Sequence, residues 1–144
     1  PENINKSNIE MLMSKLESGF AAITLGINPA LYSAICNDIN SDFIFAQELL
    51  ALNNAPDHRI NNMLLAISTS GNAMNCIYAI ETANILNIPT ICLTGPDGGK
   101  MKNLDCNLLV KTPGKSTAEI QENHIKIWHF WCKFIEATKF TEKR

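Results

Sequence analysis

The sequence predicts a three-layer, doubly wound α/β domain, with a mainly parallel sheet flanked by helices. Three observations lead there. Apolar runs at 21–25, 63–67, 89–93 and 107–110 are short and too continuous to leave one face wet, which suits strands buried on both sides of a parallel sheet. Helical patterns separate these runs, giving the strand–helix alternation of a doubly wound fold. At 144 residues the chain is one domain, long enough to bury a core.

The elements follow in order. The first run, 21–25, reads as a strand. A helix over 29–36 begins at Pro29, which suits a first helical turn, with Asn28 before it as the cap. A second helix is expected over 42–52, then a strand over 63–67, a helix over 73–86, and strands over 89–93 and 107–110. The last helix has the clearest start. Ser116-Thr117-Ala118-Glu119 has capping-box spacing, with Ser116 as N-cap and Glu119 reaching back. Helix then continues over 120–140, where Glu122 and Lys126 stand at i, i+4.

The most informative stretch is Met-Leu-Leu-Ala-Ile-Ser-Thr-Ser-Gly-Asn, residues 63–72. A strand ends abruptly in three hydroxyls, Ser68, Thr69 and Ser70, and Gly71 and Asn72 lead into a helix. In doubly wound folds ligands bind beyond the carboxyl ends of the strands, where this turn sits. The first helical N–H groups have no intrahelical partner, the helix dipole favours an anion, and hydroxyls add donors. Three hydroxyls followed by glycine therefore suggest a phosphate cradle. The competing reading is that Ser70 or Asn72 merely caps the helix. The turn after the next strand, Thr-Gly-Pro-Asp-Gly-Gly-Lys at 94–100, resembles a P-loop but fails as one. Gly95 to Gly99 is one residue short, and Met101 stands where a magnesium-binding Ser or Thr is needed. It reads as a tight glycine turn.

The middle of the last helix is apolar nearly all round, with Ile125, Ile127, Trp128, Phe130, Trp131, Phe134 and Ile135. One sheet face does not cover so much, so this helix is expected to pack against a copy of itself in an oligomer. Gln121 and His129 are polar residues set among these side chains, and burial penalises each unless it finds a partner. A hydrogen-bonded core role is the plain alternative to a ligand role. Eight residues separate them by two turns, about 12 Å along the axis, so one ion held by both needs help from another segment or subunit. His124, three residues from Gln121, competes locally, and His58 lies in a polar loop where solvation accounts for it.

Composition narrows the partners. Hydrophobic content of 46% and charged content of 18% are those of an ordinary globular protein. The net charge of −2 argues against nucleic acid or an anionic membrane surface as partner. No apolar run has the length of a bilayer span. The five cysteines, at 36, 76, 92, 106 and 132, are odd in number and form no Cys-x-x-Cys pair. Reduced thiols in a cytoplasmic protein are expected.

Taken together these residues resemble the sugar isomerase (SIS) domain, and within it the phosphoheptose isomerase branch. The matching text is Leu-Leu-Ala-Ile-Ser-Thr-Ser-Gly-Asn at 64–72, Leu-Thr-Gly-Pro-Asp-Gly-Gly-Lys-Met at 93–101, and Thr-Ala-Glu-Ile-Gln-Glu-Asn-His-Ile-Lys-Ile-Trp-His at 117–129. Cys-Asn-Asp at 36–38, with Phe43 and Phe45 after it, matches the family's Gly-Asn-Asp segment. The resemblance implies isomerisation of D-sedoheptulose 7-phosphate through an enediol, feeding heptose into a bacterial surface glycan. It implies Ser68, Thr69 and Ser70 at the phosphate and Asn37 and Asp38 at the sugar chain. It also implies zinc held in part by Gln121 and His129, with Gln121 against the substrate and His129 moving the proton. Homotetramers with sites at subunit interfaces are expected, which would ease the i, i+8 difficulty.

The departures are specific. The family's early strand runs into Gly-Asn-Gly-Gly-Ser and a helix bearing a histidine and a glutamate, the other two zinc ligands. No such segment stands here; several tens of residues are wanting near residues 20 and 21. The expectation is that the full protein carries a mobile active-site segment there; a measured intact mass near the 15.9 kDa of the 144 residues would rule that out. A true deletion implies the alternative function, a non-catalytic SIS protein working by protein contact, as a replication-initiator-associated relative does. A third reading is an isomerase or sensor for another sugar phosphate. Ala73 replaces a phosphate-binding serine usual in the family, removing one donor, and Asn28 replaces a common aspartate.

Overall fold

The computed structural model describes residues 5–17, 19–54 and 62–139; His58 and Phe140 lie outside them. Helices α1 (Lys6–Lys15), α2 (Pro29–Asp38) and α3 (Ile44–Asn53) precede strand β1 (Leu64–Ser68). Then come α4 (Met74–Ile85), β2 (Thr90–Thr94), β3 (Leu108–Lys111) and the long α5 (Thr117–Lys139). The sheet is parallel, in the order β1-β2-β3, with Ala66 opposite Cys92 and Cys92 opposite Leu109. A mixed α/β architecture with a parallel sheet and flanking helices is what the alternating runs predicted.

Local chemistry explains the helix ends. Asn28 accepts hydrogen bonds from the Ala30 and Leu31 N–H groups at 3.1 and 3.2 Å, ahead of Pro29. The expected helix over 42–52 is split. Asn40 caps a 3-10 turn, Ser41–Phe43, which feeds directly into α3. At α5 the Glu119 N–H donates to Ser116 Oγ at 3.3 Å. Its carboxylate reaches one residue beyond the cap, to the Lys115 N–H at 2.8 Å, so the capping box is displaced by one position.

Successive strand residues face opposite sides. Leu64, Ala66, Cys92 and Leu109 point to the side where α4 supplies Cys76, Ile77, Ala79, Ile80 and Ala83, and these form the core. Ile80, Cys92 and Met101 are fully buried in it. Met101 thus fills the interior at the point where a P-loop would need a hydroxyl. The other sheet side is thinner. Leu93 is fully buried, whereas Leu65 and Leu108 stay 38% and 47% exposed.

One expected strand is not formed. Residues 21–25 have no regular structure, and only Leu25 is partly buried, against the core. A strand needs a neighbour to bond its backbone. Among the described residues no strand pairs with this segment, and β1 is the edge of the sheet. The segment instead turns at Gly26, whose N–H donates to the Glu48 carboxylate of α3.

Within this single chain the last helix is covered along one stripe only. Ile120 and His124 are buried, and Ile127 and Trp131 are half-buried, a stripe at i, i+4, i+7 and i+11. Ile125, Trp128, Phe130, Phe134 and Ile135 are exposed, Phe130 by 66%.

Candidate functional site at the carboxyl end of the sheet

The hydroxyl turn and the glycine turn meet where β1 and β2 end. The Gly95 N–H donates to the Thr69 carbonyl at 3.0 Å, and the Met101 N–H to the Gly71 carbonyl at 3.0 Å. Asn72 fastens the pair: its Oδ1 accepts from the Lys100 N–H at 2.9 Å, while its Nδ2 donates to the Ser70 carbonyl at 3.1 Å. Gly71 (φ +64°) and Gly99 (φ +52°) let the two backbones touch, since a Cβ on either would lie inside the other turn. Their positive φ angles are strained for residues with a side chain.

The three hydroxyls are placed differently. Ser68 is buried, and its Oγ accepts from the Gly71 N–H at 3.1 Å, shaping the turn from beneath. Ser70 is exposed, and its Oγ accepts from the Asn72 N–H at 3.1 Å. That bond uses a lone pair and leaves the Ser70 proton free to donate outward. Thr69 and Ser70 line a cleft of about 280 Å³, closed on the far side by Asp97 and by residues 114–117 at the start of α5. Neither Ser70 nor Asn72 caps α4: Ala73 occupies the N-cap position without a side-chain cap bond, and the one side-chain bond in the first turn is local, from the Cys76 N–H to Asn75 Oδ1 at 2.8 Å. Among the described residues only the Met74 and Asn75 N–H groups at the amino end of α4 stay unbonded beside the turn, as donors that an anion could use.

The remaining candidates lie elsewhere. Gln121, exposed, follows Ile120, which lines the cleft. His129 is also exposed and lies about 13 Å farther along α5 than Ile120, at 1.5 Å per residue. Asn37 and Asp38 are exposed at the end of α2, which packs on α3 and the 3-10 turn, and they do not line the cleft. At 100° per residue, Gln121 and His129 are about 80° apart around the helix as well as about 12 Å along it. Two such donors do not hold one zinc ion by themselves. Among the described residues no group of three or more His, Cys, Asp or Glu side chains gathers to hold a metal. The described residues therefore do not by themselves fit zinc.

His124, passed over in favour of its neighbours, is the histidine that the fold encloses. It is 4% exposed, and its Nε2–H donates to the Thr94 carbonyl at 3.2 Å, anchoring α5 across the end of β2. Its i, i+4 spacing from Ile120 was the available signal. Thr112 Oγ1 donates to the same carbonyl at 3.0 Å. Burial also governs the thiols: all five cysteines are free. The Cys92 thiol is pushed up to about 12 by burial, with Cys106 and Cys76 adding to the shift.

Comparison with known proteins bears on the fold and the family. No family model matches the chain. It is 42% identical over 123 residues to a phosphoheptose isomerase of Helicobacter pylori, covering 85% of this chain and 61% of that one. It is 36% identical over 136 residues to the phosphoheptose isomerase of Colwellia psychrerythraea, covering 91% and 67%. The solved phosphoheptose isomerase of Francisella tularensis superposes with a TM-score of 0.73 at 32% identity, covering 90% of this chain and 70% of that one. The architecture is thus that of a sugar isomerase domain. The chain belongs to the phosphoheptose isomerase family, and it spans about three fifths of the length of the Helicobacter relative.

Proposed function

We propose that this chain isomerises D-sedoheptulose 7-phosphate to D-glycero-D-manno-heptose 7-phosphate, an aldose–ketose conversion supplying heptose for a bacterial surface glycan. The observation that carries the reading is the pinned hydroxyl turn. Thr69 and Ser70 face a cleft, Ser68 braces them from below, and the uncapped end of α4 lies beside them. Such a cradle holds a phosphate by neutral donors in fixed positions. Asn37 and Asp38 would meet the sugar chain and Gln121 the end near the reacting carbons. His129 would move the proton between C1 and C2, a task suited to imidazole near neutral pH.

The reading sets the complete site between copies of the chain. Gln121, Ile125, Trp128 and His129 share one outward side of α5, within about 100° of arc, and Ile125 and Trp128 are 52% and 44% exposed. A homotetramer covering this side would bring residues of a neighbouring copy to His129; the family's other histidine and glutamate would need a segment that this sequence lacks between residues 20 and 21. Zinc would enter only through such a completed set, and no step here passes through it. The setting would be cytoplasmic, in keeping with five free thiols.

One observation favours the alternative, a non-catalytic SIS protein acting by protein contact: His129 stands well away from the cleft wall. Incubation of the protein with sedoheptulose 7-phosphate, with and without added zinc, separates the two. The aldose heptose phosphate is the expected product, and its absence under both conditions overturns the isomerase reading. In the active protein Ser70→Ala should raise KM about tenfold, the loss of one hydrogen bond to a charged group. An unchanged KM would remove Ser70 from the phosphate.

A further inference from the structure

We infer that Lys115 is the cation that holds the phosphate dianion in this cleft, an inference that rests on the sugar-phosphate reading above. The cleft wall opposite Thr69 and Ser70 is built from residues 114–117, and Lys115 is the one cationic side chain among the described residues lining it. The other donors there, Thr69, Ser70, Ser116 and Thr117, are neutral hydroxyls. Asp97 adds a carboxylate to the same cleft. Hydroxyls orient a phosphate monoester but do not offset its double charge, and a nearby carboxylate raises the cost of bringing that charge in.

Local structure fixes where Lys115 stands. Its backbone N–H donates to the Glu119 carboxylate at 2.8 Å. Gly114 before it, at φ +155°, sits so close to α5 that a Cβ there would lie 2.6 Å from Ile120 Cγ1. The residue is thus clamped from both sides, while its ammonium has no hydrogen-bond or ion-pair partner among the described residues. A strongly hydrated point charge on a flexible stem, held at its root, suits an anion that enters and leaves. Lys100, on the glycine turn, does not line this cleft; its Nζ lies 3.9 Å from Met74 Sδ at the start of α4.

The test is the affinity of the full chain for sedoheptulose 7-phosphate, measured by calorimetry at low and at physiological salt. Lys115→Gln is expected to weaken binding about tenfold at low salt and to flatten the salt dependence, because a screened charge contact has been lost. Lys115→Arg should bind within a few-fold of the parent chain. Lys6→Gln, on α1 away from the cleft, should match the parent and serves as the charge control. Parent-like affinity in Lys115→Gln overturns the inference and leaves the cradle intact. Equal weakening in Lys115→Gln and Lys115→Arg also overturns it, since a charge role is rescued by arginine and a purely structural one is not. If the parent chain itself fails to bind, the sugar-phosphate reading falls and this inference with it.

Discussion

Gly71 shows how much of the cradle depends on one missing side chain. Its φ of +64° is left-handed, and its Cα faces the Gly98 carbonyl with no room for a methyl. Backbone strain at a non-glycine residue and overpacking each cost on the order of 1–3 kcal/mol. Gly71→Ala should therefore destabilise the domain by about 3 kcal/mol and separate the two turns. Urea unfolding measures the first effect, and weakened binding of sedoheptulose 7-phosphate under native conditions reports the second. A midpoint equal to that of the parent would show that the turns are not in contact in solution. The residue types at 68–72 were readable in the sequence as an anion site. The division of labour was not, because Ser68, Thr69 and Ser70 differ only in which way the turn points them. That direction is fixed by Asn72 bonding Lys100, 28 residues on.

At the level of elements, legibility followed the range of the forces involved. Helix starts at Asn28 and Ser116 and the strands at 64–68, 90–94 and 108–111 depend on neighbours a few residues away, and they stand within a residue or two of the expected places. Residues 21–25 have equal apolar character, but a strand exists only beside another strand. Composition also says little about which side of α5 is covered, since apolar side chains surround it. The packing of β2 on α4 carries a pH consequence that follows from burial alone. Burial, with Cys106 and Cys76 adding to it, pushes the fully buried Cys92 thiol up to about 12 from its ordinary 9.0. The unfolded chain thus releases this proton first, so the contribution is fully present below about pH 9 and is lost as pH rises from there towards 12. Guanidinium midpoints should fall between pH 8 and pH 10.5 more steeply for the parent than for Cys92→Ala. Parallel slopes would mean that the thiolate is solvated in the folded state.

At the scale of the whole molecule, α5 and one side of the sheet leave apolar side chains exposed. Ile125, Trp128, Phe130, Phe134 and Ile135 are 41–66% exposed on α5, and Phe130 stacks on Phe134 with ring centroids 6.4 Å apart. Large contiguous apolar patches left exposed on a domain mark interaction sites. Each buried aromatic contributes on the order of 2 kcal/mol of transfer free energy, so a few at a symmetric contact are enough to offset the entropy lost on association. Ile120, beside Gly95 and Gly114, and His124, bonded to the Thr94 carbonyl, tie the start of α5 to its own domain and are separate from these residues. Trp128→Glu should therefore dissolve the assembly without unfolding the chain. Light scattering behind size exclusion at micromolar concentration should report a multimer for the parent and a monomer for the variant, with unchanged far-ultraviolet circular dichroism. A monomeric parent would sink the oligomer. A multimeric Trp128→Glu would move the contact to the Phe130 and Phe134 side, and with it remove Gln121 and His129 from any shared site. Because those two residues lie on the Trp128 side, loss of assembly and loss of turnover should occur together in this variant, whereas Ser70→Ala should leave the multimer intact.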